Sequence, residues 1–166
     1  TWVGLQIDVA ERHPDPEARI RADDTVQLLT PVVKAFLTDL GSERTNECLQ
    51  VFGGAGYIAD TGMEQLVRDA RIAQIYEGTN GIQANDLVGR KLFLSDGRLI
   101  NGFLEESSAF ADARQGNYEL QEFVAPYVAG LEELKSVTKW LREAGTENRE
   151  ELGAAAVDTE ITRGHR

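Results

Sequence analysis

Apolar residues recur along this chain at the three-and-four spacing of amphipathic helices, and no stretch alternates apolar and polar positions long enough to argue a strand. Between Asp23 and Leu40 they fall at Val26, Leu28, Leu29, Val32, Val33, Phe36, Leu37 and Leu40, a wide stripe on one helical face. Asp23 and Asp24 suit its first turn, where carboxylates meet the positive end of the helix dipole. Pro31 is expected to kink the helix or mark a join. Gly41-Ser42 is expected to end it, with a second amphipathic segment from about Glu43 to Phe52.

A glycine-rich turn follows, Gly53-Gly54-Ala55-Gly56, then Tyr57-Ile58-Ala59-Asp60-Thr61-Gly62. Met63, Leu66, Val67, Ala70 and Ala73 supply the buried face of the next helix, which stops before Gly78. Another helix is expected from about Gly81 to Leu94, and a further one from Leu99 to about Ala113. Asn117 then caps a long helix whose stripe runs through Val124, Tyr127, Val128, Leu131, Leu134, Val137 and Leu141, until Gly145 and Asn148 break it. The pattern predicts an all-α architecture without internal repeats.

Composition narrows the class. The 166 residues carry 17 Lys and Arg against 28 Asp and Glu, a net charge of −11. That balance excludes a basic footprint for nucleic acid and a polybasic membrane anchor. With 42% hydrophobic and 27% charged residues the chain reads as a soluble globular one, and no apolar run is long enough for a signal peptide or a membrane span. The single cysteine, Cys48, excludes an internal disulfide and favours a reducing, cytoplasmic setting. Opening at Thr1-Trp2-Val3-Gly4-Leu5 with no Met, the chain reads as a piece of a longer polypeptide.

Candidate chemistry is concentrated in two stretches. His13 and His165 lie near opposite ends with no ligand spacing between them, so no metal site is expected. Cys48 reads as a buried structural thiol. In Gln50-Val51-Phe52-Gly53-Gly54-Ala55-Gly56-Tyr57 the glycines either make a tight helix-to-helix turn or offer backbone amides to a phosphate. Neither a dinucleotide fingerprint nor a P-loop fits, because no strand precedes the run and Gly-Lys-Ser/Thr is missing. The second stretch runs from Arg68 to Gln83. There Glu77 follows Ile75-Tyr76 and precedes Gly78; it is either an exposed glutamate at a helix end or a carboxylate desolvated by apolar neighbours and poised as a base. Arg68 and Arg71 are either substrate ligands or part of a solvated, ion-paired face.

Taken together and in order, Gln50 to Tyr57, Arg68-Asp69-Ala70-Arg71-Ile72 and Ile75-Tyr76-Glu77-Gly78-Thr79 resemble a signature of the acyl-CoA dehydrogenase family. The resemblance covers about His13 to Leu92. Asn80-Gly81-Ile82-Gln83 and Asp86-Leu87-Val88-Gly89-Arg90-Lys91-Leu92 are similar to a longer subgroup with an extra helical C-terminal domain, which includes the 3-methylmercaptopropionyl-CoA dehydrogenases. A looser match continues through Glu132 to Leu141.

The resemblance implies a helical bundle over residues 1–94, incomplete at its N-terminal side, part of an appended helical domain over 95–158, and a divergent, disordered tail over 159–166. It implies an FAD-dependent oxidation of an acyl-CoA thioester to the 2-enoyl-CoA, with Glu77 as the catalytic base and Gly78 leaving room for the acyl chain. It places flavin contacts at Gln50, Val51, Phe52, Gly53 and Gly54, toward the cofactor of a neighbouring subunit, and at Thr79, Asn80 and Gly81, the last being glutamine in many smaller members. A homodimer or homotetramer follows, with an electron-transferring flavoprotein as acceptor. The family's N-terminal helical and middle β domains precede this region, so the 166 residues alone are expected to bind no FAD and to be inactive. Competing readings are an acyl-CoA oxidase and a non-catalytic helical interaction module; an intact Tyr76-Glu77-Gly78-Thr79 speaks against the latter.

Overall fold

The computed structural model describes residues 2–147 together with Leu152 and Ala156. It opens with helix α1 (Trp2–Arg12), which packs along the start of α2 (Pro16–Phe52), an element of 37 residues. Asp15 and Pro16 begin α2. The Asp15 carboxylate accepts the Glu17 N–H at 3.0 Å, and Pro16 occupies the first turn, where a missing N–H leaves nothing unpaired.

This corrects two expectations and narrows a third. The helix starts at Pro16, so Asp23 and Asp24 lie in its interior. Gly41-Ser42 does not end it, because both residues stay helical and Thr45 Oγ1 donates to the Gly41 carbonyl at 2.9 Å. A glycine inside a helix costs about 1 kcal/mol, which packing along the rest of α2 outweighs. Pro31 does not divide the helix either; it is buried within it and deprives only the Gln27 carbonyl of its donor.

After α2 come two 3-10 segments, Gly53–Tyr57 and Ala59–Thr61, and then α3 (Met63–Ala73) and α4 (Asn80–Gly89). On α3 Met63 is buried but Leu66, expected inside, is exposed. Helix α4 stops five residues short of the expected Leu94 and gives way to a 3-10 stretch, Lys91–Gly97. Its end is a left-handed turn with φ of 52° at Ser95, 57° at Asp96 and 80° at Gly97. Arg142 holds this turn, Nη2 donating to the Asp96 carbonyl at 3.1 Å.

Helix α5 (Arg98–Asp112) follows close to its expected bounds. Asn117 does act as a cap, though on the single 3-10 turn Tyr118–Leu120, before α6 (Gln121–Glu147). Gly145 lies within α6 and does not break it. A Cβ there would stand 2.6 Å from the Phe93 ring, so the missing side chain serves close packing. Asn148 and the tail 159–166 lie outside the described residues.

The core is formed by Leu28 of α2, Ala84 and Val88 of α4, Leu92, Leu99 and Ile100, Leu141 of α6, and Leu152 and Ala156. It therefore passes across the boundary expected at residue 94. Beside it an apolar cleft of about 750 Å³ opens between α2, α4, α5 and α6. Every element among the described residues is helical, as the all-α reading requires. None of these helices is long and apolar enough to cross a membrane.

An ion pair joins α2 to α5. Arg98 Nη2 meets Asp24 Oδ1 at 2.8 Å, and Asp24 is buried. Because the arginine stem is half exposed, the interaction matters mainly for what its loss leaves behind, a buried carboxylate without a donor. Arg98→Met is expected to destabilise the chain by about 1–3 kcal/mol, read as a lower midpoint in urea unfolding.

Candidate active site

The turn between α3 and α4 carries the site. Helix α3 closes on Gln74, and the Ile75 and Tyr76 N–H groups both return to the Ile72 carbonyl, at 2.9 and 3.1 Å. The chain then enters the left-handed region at Glu77 (φ 53°) and Gly78 (φ 89°). Glycine suits the second position twice over. Its φ is one that side chains rarely adopt, and a Cβ would meet Gln83 Nε2 at 2.9 Å and Ile82 Cγ2 at 3.3 Å. Glu77 has no such freedom, so its conformation is held by its surroundings.

Helix α2 does the holding. Lys34 Nζ donates to the Gly78 carbonyl at 2.7 Å and to Asn80 Oδ1 at 2.9 Å. The Asn80 amide donates to Asp39 Oδ1 at 2.6 Å and to Thr38 Oγ1 at 3.2 Å. Gln74 Nε2 reaches the same Asp39 oxygen at 2.5 Å. Residues on both sides of Glu77 are thus tied to one face of α2.

The Glu77 side chain is left free, while the residue's carbonyl accepts from Gln83 Nε2 at 3.4 Å. It is exposed, and neither its carboxylate nor its backbone N–H has a hydrogen-bond or ion-pair partner among the described residues. The desolvated carboxylate weighed from the sequence is therefore not produced by this chain's own packing. Thr79 stands at the N-cap of α4 with an extended ψ of 164°, yet its hydroxyl makes no capping bond. Its carbonyl accepts from Ile82 and Gln83, so the Asn80 and Gly81 amides remain open at the helix start. The Asn80 carboxamide, by contrast, is fully engaged with α2.

The other predicted set sits at the far end of α2. Gln50, Val51, Phe52, Gly53 and Gly54 are all exposed, Val51 at 86%. Gly53 has φ 61°, and neither Gly53 nor Gly54 has a neighbour within 4 Å of a would-be Cβ. Gly56 differs. A Cβ there would lie 2.7 Å from Phe52 Cβ and 2.8 Å from the Leu49 carbonyl, so this glycine closes the turn back onto α2 while its two predecessors present open backbone. From Lys34 to Gln50 the helix climbs ~24 Å, and one chain does not bring the two sets together.

Other candidates fare differently. Cys48 is exposed, which corrects the buried thiol; it lies on a face of α2 that the described residues leave uncovered. Arg71 donates to Gln74 at 2.7 Å and both Arg68 and Arg71 are exposed, as a solvated face would have it. The described residues hold no cluster of three metal-ligating side chains. Sequence reasoning missed Lys34, Thr38, Asp39 and Gln74. A lone cation within the apolar run Val32-Val33-Lys34-Ala35-Phe36 was the available signal.

Residues 17–92 match the family described as acyl-CoA dehydrogenase, C-terminal domain. A 3-methylmercaptopropionyl-CoA dehydrogenase from Ruegeria pomeroyi is 41% identical over 139 residues, covering 79% of this chain and 24% of that protein. The chain belongs to the acyl-CoA dehydrogenase family. A butyryl-CoA dehydrogenase from Syntrophomonas wolfei is 31% identical over 121 residues, 73% of this chain and 19% of its own length. A broad-specificity linear acyl-CoA dehydrogenase from Mycobacterium tuberculosis is 34% identical over 107 residues, 64% of this chain and 17% of its own. The chain thus spans about a quarter or less of these relatives. Glu77, the α2 clamp and both glycine turns lie inside the family segment.

The glycine-rich turn yields a paired test. Gly56→Ala is expected to destabilise by about 1–3 kcal/mol, the range for forcing an added methyl into packed atoms. Gly54→Ala meets open space and leaves the thermal midpoint within error of wild type.

Proposed function

We propose that this chain supplies part of the active site of an FAD-dependent acyl-CoA dehydrogenase, with Glu77 removing the α-proton of an acyl-CoA thioester. The observation that carries this reading is the state of Glu77. Its flanks are clamped to α2, its backbone is held left-handed, and both its carboxylate and its N–H are unengaged. A base needs a carboxylate free to take a proton, and an amide beside it is placed to donate to the thioester oxygen as negative charge develops there. The proton moves to the Glu77 carboxylate. Bound FAD would supply the hydride acceptor for the β-hydrogen, so that loss of the α-proton to Glu77 and of the β-hydride to the flavin leaves a C=C bond.

The residues present suit that cofactor in two places. Thr79 Oγ1 and the open amides of Asn80 and Gly81 offer donors at a helix start, where negative charge is favoured. Because the Asn80 side chain is committed to α2, position 80 contributes through its main chain. The exposed run Gln50, Val51, Phe52, Gly53 and Gly54 offers backbone and apolar surface to the cofactor of a neighbouring subunit. The ~24 Å between the two sets favours a flavin completed by two chains, and hence a homodimer or homotetramer. Gly78 keeps the acyl path clear of a side chain. An electron-transferring flavoprotein is the acceptor we favour, in a reducing cytoplasm consistent with a single exposed thiol.

In the FAD-loaded enzyme, Glu77→Gln is expected to slow flavin bleaching by acyl-CoA by about 10²–10⁴-fold with flavin content unchanged. Bleaching at the wild-type rate would remove Glu77 from the mechanism. The 166 residues alone, incubated with FAD and passed through gel filtration, are expected to carry no flavin absorbance.

A further inference from the structure

We propose that Lys34 is a positioning residue that sets the aim of the Glu77 carboxylate; the proposal rests on the reading of Glu77 as the base. Lys34 is partly buried in the middle of α2, and among the described residues its ammonium pairs with no carboxylate. Both of its acceptors are neutral oxygens of the turn that carries Glu77: the Gly78 carbonyl at 2.7 Å and Asn80 Oδ1 at 2.9 Å. A charged donor makes a hydrogen bond roughly twice as strong as a neutral one, so the cation is placed where it orients the Gly78–Thr79 peptide, the second after the base.

The remaining links keep that peptide from rotating. Asn80, which receives Lys34 on its oxygen, donates from its nitrogen to Asp39 at 2.6 Å, and Asp39 also receives Gln74 at 2.5 Å. The turn is therefore gripped from α2 at Gln74 before Glu77 and at Gly78 and Asn80 after it, and Gln83 Nε2 of α4 adds longer bonds to the Glu77 and Gly78 carbonyls at 3.4 and 3.5 Å. Between those grips Glu77 sits at φ 53°, a conformation unfavourable for a residue with a side chain. Without the Lys34 contact the Gly78 carbonyl keeps only the 3.5 Å bond from Gln83 Nε2, the turn loosens, and Glu77 relaxes toward negative φ. Such a change swings its carboxylate away from the direction that the clamped backbone gives it.

The test uses the FAD-loaded enzyme in single-turnover flavin reduction, with acyl-CoA carrying hydrogen or deuterium at the α-carbon. Lys34→Met is expected to lower the reduction rate by about 10–100-fold, the scale of a misaimed catalytic group. The α-deuterium isotope effect should rise, while flavin content and acyl-CoA Kd remain at wild type. Lys34→Arg, which keeps a cationic donor, should recover most of the rate. If Lys34→Met does not fold, Asp39→Ala at an exposed position loosens the same grip and is expected to give a smaller loss with the same rise in isotope effect. A folded variant with an unchanged rate and isotope effect overturns the proposal, as does a rate loss explained wholly by lost flavin or weakened acyl-CoA binding. Glu77→Gln measured alongside separates the two levels. Retained reduction there removes the base itself, whereas its loss together with a wild-type Lys34→Met removes only the positioning role.

Discussion

Helix α2 is the constraint on which the other elements depend. At 37 residues it is ~55 Å long, and α1, α3, α4 and α5 all lean on it. Its length separates the glycine-rich turn at its C-terminal end from the Glu77 turn at its middle. Its interior is where a helix of this length is most easily broken, at Pro31 and at Gly41-Ser42. Burial of Leu28, Pro31 and Ala35, together with the packing of α1, α3, α4 and α5 along it, keeps it whole.

Two left-handed turns use that scaffold differently. At Ser95-Asp96-Gly97 the unfavourable backbone is stabilised by Arg142, and the turn redirects the chain from α4 into α5 within the core. At Glu77-Gly78 the contacts come from Lys34, Asn80, Asp39, Gln74 and Gln83, and the side chain at the apex is left without partners. The first arrangement is explained by packing alone. The second concentrates order around a single free carboxylate, which packing does not require, and strained backbone held in this way is a recurring property of reactive sites.

Much of the candidate site was legible beforehand because it is local. Gly53, Gly78 and Thr79 sit in turns whose dihedrals their residue types favour, and the run from Tyr76 to Thr79 is contiguous. The helix faces were read less well. Phe36 and Leu37 belong to the α2 stripe yet are 53% and 56% exposed, and Leu66 on α3 is exposed too. A hydrophobic stripe says that a surface prefers to be covered; it does not say by what. Cys48 was misplaced for the same reason. The start of α2 was misread although Asp15 and Pro16 are a strong opening signal, because the apolar stripe begins only later, near Val26.

The sequence alone determined the helical class and the turns at Gly53 and Gly78, and it singled out Glu77 as the candidate carboxylate, since periodicity, capping and φ freedom depend on neighbours within a few residues. Only the tertiary structure decided that α2 is continuous, which of its faces is interior, and how Glu77 is held. The contacts that hold it span 44 and 46 residues, from Lys34 to Gly78 and Asn80. Nothing in a local pattern encodes such a pairing; it exists because α4 packs against α2 and brings the Gly78 carbonyl and the Asn80 side chain to Lys34.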